Sequence, residues 1–158
     1  MPRHARTPLV AVAPSLLLGA CAAPTISVGE ATVVGRDAET VRLDVAVRLT
    51  NPATRPMPLL EWDYTVESPV GGAVGGGGGV AFEGTWSAMR TIPPGETVTV
   101  AIPAVVPAAD FDPAAPILVR GSVSYRSPDR LARIFEEFGL YRPRQSFAGS
   151  AEPSAAVR

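Results

Sequence analysis

The chain has 158 residues, 46% hydrophobic and 18% charged, with 14 Lys+Arg against 15 Asp+Glu. That profile suits one folded domain, too apolar for a disordered chain and too short for two comfortable domains. One Cys (Cys21) and one His (His4) exclude an internal disulfide and a Cys/His zinc site. The absence of Lys excludes Schiff-base and P-loop lysine chemistry, and a net charge of -1 offers no general pull on nucleic acid.

Arg3, His4 and Arg6 form a short positive region ahead of an apolar stretch, Leu9 to Leu18, broken by Pro14. A membrane span needs roughly 20 apolar residues, so this stretch reads as the core of a signal peptide, residues 1–20. Leu18-Gly19-Ala20-Cys21 resembles the bacterial lipobox, in which the Cys takes a diacylglyceryl group and becomes the acylated new N-terminus. An ordinary secretory signal followed by a chance Cys is the alternative. With each buried acyl CH₂ contributing about 0.8 kcal/mol, two or three chains on Cys21 hold a protein stably at a membrane. The expected location is the bacterial cell envelope, lipid-anchored, on the periplasmic face of the outer or inner membrane where two membranes exist. Ala22 is not the Asp that retains some lipoproteins at the inner membrane. Residues 21–25 then form the lipidated N-terminus and a short tether. The processed chain keeps 12 Arg, 15 acids, no His and no free thiol. A Ser-His-Asp triad, a Cys-His dyad and a His-ligated metal cannot be built from it.

From Thr25 the pattern becomes β. Thr25 to Val34 reads as a first strand. Val41, Leu43, Val45, Val47 and Leu49 alternate with polar residues up to Asn51-Pro52, where Pro lacks the N–H to continue a ladder. Leu60, Trp62, Tyr64 and Val66 form the next inward row; Trp62, Tyr64 and Trp86 read as core aromatics rather than ligand-stacking ones. Phe82, Gly84 and Trp86 mark another strand, and Pro93-Pro94-Gly95-Glu96 a turn before Val98, Val100 and Ile102. Ile117, Val119, Val123 and Tyr125 follow, with Gly121 at an inward position that suggests close backbone approach or a bulge. Gln145 to Gly149 closes the set. About seven short strands between Gly/Pro turns predict an all-β, immunoglobulin/fibronectin-III-like antiparallel sandwich over residues 26–149. Residues 150–158 read as a disordered tail.

One short helix is expected near the C-terminus, with Ser127 as cap, Pro128 at its first position and Gly139 as its stop. Leu131, Ile134, Phe135 and Phe138 make an apolar stripe. The preferred reading has that stripe plugging one open end of the sandwich; a partner-binding helix would instead leave it exposed. The run 71–79, GGAVGGGGG, lacks the spacing and the lysine of a phosphate loop and reads as an inter-strand loop. Asp110 and Asp112 are too few for a hard-cation site, and Glu136 and Glu137 do not face each other on a helix. No catalytic residue, metal ligand or cofactor is assigned.

The order of RLDVAVRLTNP, PMPLLEWDYTVE, FEGTW, IPPGETVTVAIPAVV and Gly121-x-Val123-x-Tyr125 resembles the WHy (water stress and hypersensitive response) domain of the LEA14-like, LEA type 2 family. Ala53 in place of a polar residue after Asn51-Pro52, the long Gly-rich run and the helix depart from the family pattern. The resemblance implies a β-sandwich associated with desiccation and other stress and carrying no catalytic residues. The expected function is therefore a non-enzymatic, membrane-anchored protective lipoprotein. Its partners would be the membrane, through the lipid on Cys21, and client proteins or an envelope protein, with no nucleic acid. The alternative is an envelope adaptor that binds another protein through a sandwich edge or the 128–138 helix. Asn51, with Pro52, is the motif residue singled out, expected to hydrogen-bond the turn backbone that follows it.

Overall fold

A computed structural model describes residues 23–68, 80–87 and 89–155. The signal region, Cys21 and the 71–79 glycine run lie outside the described residues. Among those described, nine strands build two sheets. β1 (Thr25–Arg36), β2 (Thr40–Thr50), β6 (Thr97–Pro107) and β9 (Pro153–Ala155) form one, ordered β6-β2-β1-β9. The other is ordered β4-β3-β7-β8, from β3 (Met57–Glu67), β4 (Val80–Trp86), β7 (Ile117–Tyr125) and β8 (Arg144–Ala151). A short β5 (Arg90–Ile92) pairs with the beginning of β3. Apart from the parallel β1–β9 pair, every pairing is antiparallel. This is the expected all-β sandwich.

Alternation accounts for the core. Val41, Leu43, Val45, Val47 and Leu49 of β2 are all buried, and β6 contributes Val100, Ile102, Ala104 and Val106. Across the sandwich, Trp62, Tyr64 and Val66 of β3 meet Ile117, Val119 and Val123 of β7. The Trp62 ring sits edge-on to Phe147, with centroids 5.7 Å apart. Trp86 is half-buried against the same core. Each inward Val, Leu or Ile removed from water contributes about 1.5–3 kcal/mol, enough for a domain this size to dispense with disulfides.

Gly121 sits where the backbones crowd. A Cβ there would lie 2.5 Å from the Asp63 carbonyl oxygen and 2.9 Å from Tyr64 Cβ, so the close approach read from the sequence is real. Gly84 and Gly121 face Tyr64 from the strands on either side. The two glycines leave room for the tyrosine ring, and Phe82 and Phe147 close over them.

Four details depart from the sequence reading. Leu60 is exposed rather than inward, because a bulge between Leu59 and Glu61 inserts one extra residue. Leu59 takes the inward place instead. The presumed tail from 150 is ordered as far as Ala155: β8 runs to Ala151, and β9 adds a parallel strand alongside Ala31 to Val33. The helix, α1 (Arg130–Glu137), is capped by Asp129 and not Ser127. Asp129 has extended backbone angles and its carboxylate accepts from Leu131 N–H at 2.8 Å, while Ser127 Oγ accepts from Asp129 N–H. Finally, the apolar stripe of α1 does not plug the sandwich, as described next.

Candidate functional site

One end of the sandwich concentrates the features of interest. Thr25 pairs with Thr50 and Thr50 with Thr97, so β1 starts, β2 ends and β6 starts at this end. Met57 pairs with Ile92 and Leu59 with Tyr125, which puts the start of β3 and the end of β7 in the second sheet there.

Asn51 fastens the two sheets at this end. It is fully buried. Its Nδ2 donates to the carbonyls of Arg55 (2.8 Å), Ile92 (3.1 Å) and Pro93 (3.2 Å), and its Oδ1 accepts from Ala53 N–H (3.0 Å). Its backbone N–H reaches the Glu96 carbonyl, and its carbonyl accepts from Gly95 N–H. Gly95 has φ 69°, the left-handed geometry that the Pro-Gly turn needs. Pro52 ends β2 and frees Asn51 to turn inward. The expected hydrogen bond to the following turn is present, at Ala53. The links to residues 92–96 are a long-range role that local sequence could not reveal.

Helix α1 follows β7 at the same end. Its C-terminus has the Schellman pattern: Gly139 N–H bonds to Glu136 O, Leu140 N–H bonds to Phe135 O, and Gly139 has φ 70°. Glu136 reaches back to accept from Ser127 N–H at 2.8 Å. This bond and the buried Ala132 mark the side of the helix that faces the sandwich. The stripe at i, i+3, i+4 and i+7 is therefore turned outward. Leu131 is 62% exposed and Phe138 75%, with Ile134 and Phe135 at 44% each; Leu140 and Tyr141 continue the patch. The physical reason is local: Ala132 lets the helix approach closely, and the Glu136 bond to Ser127 fixes its rotation.

Between α1 and the ends of β3 and β7 lies a groove of about 490 Å³, where Arg126, Arg133 and Arg142 face Glu61, Glu136 and Glu137. Opposite charges balance there, and Glu136 is already engaged with the backbone. The other acidic candidates lie at the far end. Asp112 accepts from Ala114 N–H at 2.8 Å, and Asp110 presents its backbone carbonyl to the Ser68 hydroxyl. Buried Phe111 separates them.

No family model matches the chain. No curated protein matches it either. Solved structures do match. The solution structure of AT1g01470 from Arabidopsis thaliana aligns with a TM-score of 0.48 at 16% identity, covering 84% of this chain and 80% of that one. Beta-glucosidase 3B from Thermotoga neapolitana, in complexes with glycerol and with alpha-D-glucose, aligns with TM-scores of 0.29 and 0.30 at 18% identity. Those alignments cover 82% of this chain but 17% of the enzyme. Overlaps this loose carry no statement about activity.

Proposed function

We propose that the protein is a non-enzymatic lipoprotein of the bacterial envelope, of the LEA type 2 kind, held to the membrane by acyl chains on Cys21. Its sandwich protects neighbouring proteins or lipid by surface contact during water loss. The observation that carries this reading is the Asn51-Pro52 turn. Within the ordered set of motifs that carries the family resemblance, Asn51 serves here as the buried fastening of both sheets, with four side-chain hydrogen bonds. The lipobox-like Leu18-Gly19-Ala20-Cys21 supports the anchor. The test is survival of controlled drying by the parent strain, a deletion of the gene and its complement. A deficit rescued by the complement is expected, and equal survival of all three would overturn the protective role.

The outward apolar face of α1 favours a second reading, an envelope adaptor. Cross-linking in cells separates the two, because an adaptor yields one dominant protein adduct and a protective surface does not.

A further inference from the structure

The end of the sandwich that bears α1 is also the end at which the chain enters it. Ala23 packs against the core and Pro24 is buried immediately before β1 begins at Thr25. Cys21 lies two residues earlier. At ~3.6 Å per extended residue, those two residues span at most about 7 Å. A lipid on Cys21 therefore brings this end of the domain, and no other, against the membrane.

Three properties of that end fit a lipid surface. The first is apolar: Leu131, Ile134, Phe135 and Phe138 point away from the protein, and Leu140 follows directly after the Schellman turn. Leu and Phe on one helix face with Arg beside it is the composition of helices that lie in the headgroup region, their apolar faces about 5–10 Å deep. The second is charge. Arg130, on α1, is exposed and in no ion pair among the described residues, whereas Arg144 is paired with Asp63 at 2.8 Å and Arg126, Arg133 and Arg142 share their groove with Glu61, Glu136 and Glu137. The third is the choice of cation, since a guanidinium pairs with phosphate oxygens through two parallel hydrogen bonds.

We infer that α1 is a second membrane contact: its outward face, with Leu140, enters the phospholipid surface that holds the acylated Cys21, while Arg130 meets a lipid phosphate. One chemistry would then fix orientation as well as attachment. The acyl chains supply the affinity, and the helix stops the sandwich from swinging about its short tether. This inference rests on the lipid-anchor reading above.

The test uses the full-length lipoprotein purified from bacterial membranes and reconstituted in phosphatidylethanolamine/phosphatidylglycerol vesicles. An environment-sensitive fluorophore is attached through Phe138→Cys, through Leu131→Cys on the same face, or through Ala38→Cys in the β1–β2 hairpin at the opposite end. Nitroxide-bearing lipid is the quencher, and the mass of the N-terminal peptide reports acylation of Cys21. Several-fold stronger quenching and a blue-shifted emission at 131 and 138 than at 38, with Cys21 acylated, are expected. Acylated Cys21 with water-like emission at 131 and 138 would overturn the helix contact and leave the anchor standing. Blue-shifted emission without lipid quenching would overturn it in favour of a second copy of the chain covering the face. An unmodified Cys21 would remove the anchor reading, and the contact that rests on it would fall too.

Discussion

Asn51 uses a single carboxamide to serve four backbone groups, three carbonyls and one N–H, at a fully buried position. Removing it strands those groups away from water, so the loss exceeds the net value of any one hydrogen bond. Asn51→Ala is expected to destabilise the domain by about 2–4 kcal/mol in urea unfolding, and a loss below about 1 kcal/mol would refute the fastening role. Asn51→Asp should be at least as damaging, because a carboxylate cannot donate to three carbonyls. Tyr64 works on a smaller scale. Its hydroxyl donates to the Pro103 carbonyl and so links β3 to β6 across the sandwich. Burial raises its pKa above the ordinary 10.0. The folded state therefore holds the phenolic proton more tightly than the unfolded chain. Stability from this group is complete below pH ~10 and declines as pH rises through the unfolded value toward the raised folded one. Tyr64→Phe should lower stability by about 1 kcal/mol at neutral pH and flatten the alkaline arm of the stability curve.

At the scale of elements, the strands were the legible part. In β2 a strict alternation of five apolar residues defines strand and face together, because only one registration buries them all. β3 shows where that logic stops. The alternation Leu60, Trp62, Tyr64, Val66 is correct from Trp62 onward, but the bulge at Leu60 reverses the faces before it. Nothing local distinguishes Leu59 from Leu60; the pairing with β7 decides. The helix was legible as a helix, since Gly139 and the apolar spacing both mark it. Its orientation was not. Period alone says which residues share a face, and the usual inference buries the apolar one. Here Ala132 and Glu136 hold the opposite side to the protein, and that depends on where Ser127 ends up after β7. The singled-out Asn51 was found, although its partners at 92 and 93 could be known only from the fold. The exposed stripe makes its own prediction. Replacing Leu131 and Phe138 together by Gln should change unfolding free energy by less than about 0.5 kcal/mol, as at other surface sites. A loss of several kcal/mol would mean that these side chains belong to the core after all.

For the whole molecule, the sheet orders place both borders of the first sheet on strands that carry proline. β6 forms one border of its sheet and carries Pro103 within the strand and Pro107 at its end. Neither residue has an N–H to offer a neighbouring chain. At the opposite border β9 covers part of β1 with three residues, and the first of these is Pro153. At high protein concentration an open sheet border is a template for edge-to-edge polymerisation. Proline on two of the four borders, and a three-residue strand as one of them, leave the first sheet little to offer the edge of a neighbouring copy.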